Sequence, residues 1–314
     1  YLETHWRPGH IFTTSRDLLD WQHWDAERER YNFAIAEEDS CILGVLGFVP
    51  HSQFDPKMEP GVALWLCIWS VADEARGNGL GRKLLDWVEE TYRPTFIGTN
   101  GASDMTMSTY AKRGWKTGQL DQWYALPGMV GGGRGSSVSG PYPMPRKTKA
   151  FIENRYAKHP VYKYDVYGNE HTAVVLRLCE APGVRALRVV DLLGSSAGFS
   201  HLPWAQLAAK YEATAIDFYC TGVPYRDIEA AGFKRRRGDE VIVPNYFEPY
   251  EHRNVSINFA YKAPAGVLVR ICKGDGDMDR PNMILAQSPA YEPVAGVGSG
   301  TGIESERRDA PEAT

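Results

Sequence analysis

The sequence predicts a mixed α/β fold, with helices and strands interleaved around mixed sheets, in two halves of which the second is a degenerate copy of the first. Three observations predict it. The chain has 314 residues, roughly two domains at about 150 residues each. Short apolar, β-prone runs alternate with stretches of helical periodicity in both halves. And FIGTNGASDMTMSTYAKRGW (Phe96–Trp115) matches FYCTGVPYRDIEAAGF (Phe218–Phe233) in order: strand, Thr/Gly turn, helix, then glycine before an aromatic residue, a weak internal repeat.

The elements follow from local pattern. Ser15–Glu29 sets Leu18, Leu19, Trp21 and Trp24 on one side against charges on the other, which predicts a helix. Asn32–Ala36 and Cys41–Val49 flank the polar tract Glu37–Ser40 and predict an antiparallel hairpin. Val62–Val71, rich in Trp and Leu, reads as a central strand. A Gly-rich turn then feeds a helix with Leu80, Leu84 and Val88 on one face. Thr95–Gly98 reads as a strand, Asp104–Lys112 as a helix closed at Gly114, and Thr117–Leu126 as a further strand. In the second half Thr172–Cys179 and Leu187–Leu193 are expected to pair, followed by a helix at Trp204–Tyr211 and a strand at Ala215–Tyr219. A short helix at Tyr225–Ala231 ends at Gly232, and Val241–Pro244, Val255–Ala260 and Val267–Ile271 are expected to close a sheet.

GMVGGGRGSSVSGPYPMPR has no periodic apolar positions and reads as a linker or loop. The expected organisation is therefore a first domain at 1–127, a linker at 128–146, a second domain at 147–285 and a disordered tail at 286–314.

A net charge of −4, with 43% hydrophobic and 24% charged residues, is ordinary globular usage. It argues against nonspecific nucleic-acid binding, which needs clustered Lys and Arg. The run Lys234–Arg237 is too short for such a surface and is expected to be a solvated turn. The longest apolar stretch, around Val62–Ile68, falls far short of the about 20 residues that span a bilayer. Tyr1–Pro8 shows no signal-peptide pattern, and five scattered cysteines mostly inside apolar runs predict buried thiols in a cytoplasmic protein. No CxxC or HExxH occurs. Asp275, Asp277 and Asp279 alternate as calcium ligands do, but Arg280 and Ala286 stand where such a loop needs Gly and Glu, so no metal is expected.

The informative segment is Arg76-Gly77-Asn78-Gly79-Leu80-Gly81, at a strand-to-helix junction. Glycines let backbone amides approach an anion closely, and the helix adds its unpaired N–H groups and the positive end of its dipole. Arg76, Arg82 or Lys83 offers charge-assisted bonds to a diphosphate.

At these residues the sequence resembles the GNAT superfamily of acyl-CoA-dependent N-acyltransferases. Arg76, Gly79 and Gly81 fill its [Q/R]-x-x-G-x-[G/A] signature after a central strand. Tyr110, four residues before Gly114-Trp115, fills its second mark. The match spans roughly 32–126, and it implies tandem GNAT-like halves. The resemblance implies that Arg76, Gly77, Asn78, Gly79, Leu80, Gly81 and Arg82 hold the pyrophosphate of acetyl-CoA or another acyl-CoA. It implies that Trp69, Ser70 and Val71 pair with the pantetheine arm, one N–H facing the thioester oxygen, and that Tyr110 protonates the departing thiolate. A base for the amine is expected among the acceptor-side loops, where His51 and Asp55 also lie; His10 and Glu59 are the candidates.

The second half keeps the strand–helix–Gly–aromatic outline but lacks the glycine turn, and Ile228 stands at the tyrosine position. It is therefore assigned to acceptor binding or scaffolding. HWRPGHI, GFVPHSQFD, LWLCIW and KGDGDMDRPN resemble the two-part GNAT enzymes that acylate nucleotide-linked amino sugars for surface polysaccharide (lipopolysaccharide) synthesis. That implies a dTDP- or other nucleotide-linked amino sugar near the junction of the halves. Tyr246, Tyr250, His252, Arg253 and Arg280 are the candidates to bind it, with a homodimer allowed. The alternatives are a GNAT enzyme acting on a protein or other small amine, or a non-catalytic acyl-CoA sensor.

Overall fold

The computed structural model describes residues 1–131 and 142–283. Most of the expected linker and all of the expected tail lie outside them. Six strands of the first half come first: β1 (Phe33–Glu38), β2 (Cys41–Pro50), β3 (Ala63–Val71), β4 (Phe96–Asn100), β5 (Lys116–Gln119) and β6 (Asp121–Ala125). The second half adds β7 (Asp165–Gly168), β8 (Thr172–Ala181), β9 (Val184–Gly194), β10 (Ala215–Thr221), β11 (Lys234–Arg235), β12 (Asn258–Lys262) and β13 (Ile271–Cys272).

The two sheets are wired alike. The first runs β1-β2-β3-β4-β12-β5, and the second runs β7-β8-β9-β10-β6-β11, with β13 attached to β10. In each, two antiparallel pairs lead to one parallel pair, β3 with β4 and β9 with β10. A parallel pair needs a crossover, and helices supply it. In the first half this is α2 (Leu80–Tyr92), which follows α1 (Arg16–His23) along the chain. Helix α3 (Asp104–Lys112) leads to β5, while α4 (Trp204–Lys210) and α5 (Tyr225–Glu229) serve the second half.

The two sheets trade strands. In the first, β12 from near the end of the described chain sits between β4 and β5; in the second, β6 from the first half sits between β10 and β11. The expected single strand Thr117–Leu126 is thus two, broken at Leu120, which is buried among Trp65, Phe96, Tyr219 and Phe259. A boundary at 127 does not coincide with sheet membership. Val255–Ala260 likewise contributes to the first sheet rather than closing the second. Lys234 and Arg235, expected in a solvated turn, pair with Tyr124 and Trp123.

Each half has its own core. Leu84, Leu85 and Val88 of α2 pack on Leu46, Leu64 and Ile97. Trp204 and Leu207 of α4 pack on Val189, Phe218 and the exchanged Trp123. The repeat seen in the sequence survives as local geometry. Gly114 and Gly232 have φ of +74° and +91°, a region open to glycine and strained for other residues. They turn Trp115 N–H onto the Tyr110 carbonyl (3.1 Å) and Phe233 N–H onto that of Ile228 (3.4 Å).

The expected helix Ser15–Glu29 is shorter. It ends at His23, and Trp24–Asp25 pairs with Arg30–Tyr31 in a small hairpin. All five cysteines are free; Cys179, Cys220 and Cys272 are buried, while Cys41 is exposed. No helix among the described residues is long and apolar enough to cross a membrane.

Candidate active site between the halves

Strands β3 and β4 pair only from Ala63–Phe96 to Leu66–Thr99. Beyond Leu66 they diverge, so the side of β3 that faced β4 carries unpaired backbone groups along Cys67–Val71. A bulge contributes: Trp69 opposes Leu46 and Leu66 opposes Phe48, so Cys67 and Ile68 together face Gly47. Such an insertion bends a strand and ends regular pairing. The cleft opens into a cavity of about 690 Å³, lined on one side by Trp69, Ser70, Val71, Arg76 and Tyr110.

The glycine turn stands at the mouth of this cleft. Gly77 and Gly79 take φ of +83° and +73°, and Gly79 is the N-cap of α2, with no side chain capping the helix amides. Arg76, Gly77, Asn78 and Arg82 are exposed, while Gly79, Leu80 and Gly81 are half-buried. A Cβ on Gly81 would lie 3.2 Å from the Trp69 indole nitrogen, so glycine lets the helix start close against β3. Arg76 reaches back to the Val71 carbonyl (3.2 Å) and pairs with Asp73 (2.7 Å). The turn thus presents unpaired amides, a helix dipole and a guanidinium together, which suits a diphosphate.

Tyr110 is 2% exposed and lies between Trp69 and Trp115, with ring centroids 5.7 and 4.7 Å away. Burial pushes its phenol well above the ordinary tyrosine value, opposed by a hydrogen bond with Thr99. It therefore stays protonated, as a proton donor must.

The opposite wall belongs to the second half. Arg177 makes a two-pronged pair with Asp279 (2.7 and 3.1 Å), with the Tyr162 ring 3.9 Å from its guanidinium carbon. Arg188 pairs with Asp217 (2.8 Å) and donates to the Asn245 and Pro244 carbonyls. Lys273 and Asn245 complete this wall. Of these only Asp279, as one of three alternating aspartates, and Lys273, within KGDGDMDRPN, were touched on in the sequence. For Arg177 and Arg188 the signal was an arginine inside an apolar strand, in TAVVLRLCEA and VRALRVVDLLG.

The remaining expected residues scatter. His10 is 3% exposed, accepts from Phe12 N–H through Nδ1 and meets Arg280 through Nε2 (3.1 Å). Burial, then the Arg280 charge, hold it down to about 4. Glu59 is exposed on the loop after β2 and does not line the cavity. His51 and Asp55 are buried tethers to the Arg146–Thr148 segment, through Arg146 carbonyl (3.2 Å) and Thr148 hydroxyl (2.5 Å). Tyr246 and Arg280 line the cavity. Tyr250 packs on Phe247 outside it, and His252 and Arg253 are exposed, Arg253 pairing with Glu251.

The three alternating aspartates diverge: Asp275 to Lys147 (2.9 Å), Asp277 to Arg280 (3.2 Å) and Asp279 to Arg177. Among the described residues, Asp191, Cys272 and Asp275 come close enough to share a metal, but the Lys147 ammonium sits on both carboxylates, 2.6 Å from Asp191.

Residues 2–115 match the model of the acetyltransferase (GNAT) family. No curated protein matches the chain. Among solved structures, a GCN5-related N-acetyltransferase from Anabaena variabilis is 11% identical, over 74% of this chain and 62% of its own, with a TM-score of 0.45. One from Kribbella flavida is 14% identical over 74% and 59%, TM-score 0.43. A ribosomal-protein-alanine N-acetyltransferase from Brucella melitensis is 22% identical over 28% and 56%, TM-score 0.24. The chain spans about three fifths of the length of the first two. By this match the segment 2–115 is similar to the acetyltransferase (GNAT) family.

Proposed function

We propose that the protein moves an acyl group from CoA to the amine of a nucleotide-linked amino sugar held between the two halves. The observation that carries this reading is the single cavity that runs from the splayed strands to the arginine-rich wall of the second half. The glycine turn and the start of α2 would hold the pyrophosphate, and the unpaired edge of β3 the pantetheine arm. An N–H of that edge would face the thioester oxygen, where hydrogen bonding strengthens as the tetrahedral oxyanion forms. The amine attacks as the neutral base. Tyr110 then gives its proton to the thiolate as the C–S bond breaks.

His10, neutral at physiological pH, touches the cavity through Arg280 rather than directly. An ordered water is the better carrier of the amine's proton. Glu59, exposed and away from the cavity, drops out as the base. The basic groups of the acceptor wall, Lys273 above all, favour an anionic acceptor.

The test is thiol release from acetyl-CoA with a panel of nucleotide-linked amino sugars, other small amines and basic peptides. Release with an amino sugar alone supports the reading. Release with peptides alone replaces it by a protein acetyltransferase, and CoA binding without release by any amine replaces it by a sensor. In Tyr110→Phe, turnover falls ~10²-fold with CoA affinity retained; full turnover removes the acid role.

A further inference from the structure

The second-half wall of the cavity holds a cation with no carboxylate of its own. Lys273 is 2% exposed, and among the described residues its Nζ enters no ion pair; it donates to Asn245 Oδ1 (2.7 Å), with the Met278 carbonyl at 3.4 Å. The charges around it are already matched. Arg177 on β8 pairs with Asp279, and Arg188 on β9 pairs with Asp217 on β10. Tyr219 of β10 lies 5.9 Å below the amine. Glu248, which also borders the cavity, accepts from the Tyr162 hydroxyl (2.7 Å).

A second donor stands beside it unused. Asn245 Nδ2 is buried without a hydrogen-bond partner. Because an ammonium only donates, the carboxamide oxygen must face Lys273, which leaves Nδ2 as the free end. A buried donor without an acceptor is costly, and a buried ammonium without a counter-charge is costlier. An ammonium without a counter-charge beside an amide N–H without an acceptor, in the wall of an open cavity, complements an anion.

We infer that Lys273 and Asn245 form an anion subsite that receives a phosphate or carboxylate group of the amine acceptor. Its assignment to the acceptor rests on the acyl-transfer reading; its capacity to bind an anion does not. Burial and the Arg188 charge hold the vacant lysine down to about 7. An arriving anion favours the ammonium, so binding draws in a proton above neutrality.

The full chain, saturated with CoA so that the glycine turn is filled, is titrated with sulfate and separately with succinate between about pH 6.5 and 9, where neither probe changes ionisation. Affinity is expected to fall by up to about tenfold per pH unit above 7. Lys273→Met should weaken binding at least tenfold and flatten the pH dependence. Lys273→Arg should restore binding without that dependence, since a guanidinium stays charged. Tighter sulfate assigns a phosphate-bearing acceptor; tighter succinate assigns a carboxylate. Retained CoA affinity reports that each variant folds, and the Lys273 Cε resonance of the unaltered protein should titrate at higher pH once sulfate is added. Undiminished binding in Lys273→Met, pH-independent binding, or binding of neither probe overturns the inference. Should CoA itself not bind, acyl transfer is lost, and the same anion titration on the free chain still decides the subsite.

Discussion

The two halves share one wiring and differ at one place, the gap where the parallel strands part. In the first half, β3 and β4 separate after Leu66 and Thr99, and the gap lines the cavity. In the second, β9 and β10 separate after Val189 and Phe218, but Ile271–Cys272 pairs with Thr221 and Cys220 there. Lys273 N–H reaches the Tyr219 carbonyl, and Gly274 N–H that of Val190 (2.8 Å). The chain plugs the second gap with its own backbone. The same splay serves as a cleft when left open and as a structural joint when filled, which also accounts for a second half without a glycine turn.

The halves also bury polar groups differently. The first buries neutral imidazoles more fully: His23, against the Phe48 carbonyl, and His51, which accepts from the Trp65 indole, where the second has His159 alone among the described residues. Burial holds His23 and His51 down to about 3. The second buries ion pairs, and neighbouring Arg177 keeps Asp279 well below the ordinary carboxylate range.

The largest effect that sharpens this contrast comes from Asp217→Ala. It strands the fully buried Arg188 charge and should lower unfolding free energy by about 3–5 kcal/mol in urea titrations. A loss under ~1 kcal/mol would show the second wall to be solvated, with the contrast gone. Next comes acid. Because His23 and His51 hold fewer protons folded than unfolded, stability is complete above about pH 6.5 and falls as pH drops toward 3. The slope is up to about 1.4 kcal/mol per pH unit for each histidine. Urea midpoints between about pH 6.5 and 5.5, above the carboxylate range, measure it; a flat profile there would mean the imidazoles are not buried neutral.

A smaller effect is local to the turn. Gly81→Val pushes a side chain into Trp69 and should weaken CoA binding about tenfold, read by calorimetry, with the acceptor wall untouched. The smallest is Arg76→Ala. Its pair with Asp73 is exposed, so stability should shift by less than ~1 kcal/mol, while CoA affinity drops.

What was legible in the sequence follows the same division. The cofactor side is built from short-range signals: glycines before a helix, a tyrosine at fixed spacing from Gly114, an apolar strand. All lie within 62–115, and the strand, Arg76 and Tyr110 border one cleft. The proposed acceptor side was not legible, because Arg177, Arg188, Asn245 and Lys273 meet only through pairings across long stretches of chain. Polar residues such as Glu59, His252 and Arg253 are exposed, and a local pattern cannot show which polar groups face inward. Strand exchange was invisible for the same reason: β12 carries the alternation of any half-buried strand, and nothing local names its partner.

That exchange has a consequence for synthesis. As the polypeptide leaves the ribosome, β4 and β5 emerge early, yet the strand that belongs between them follows about 140 residues later. Until then the nascent amino-terminal sheet offers naked edges, an aggregation hazard. The segment 1–127, released alone, should accordingly be insoluble or unfolded, and adding the separately made remainder should rescue it.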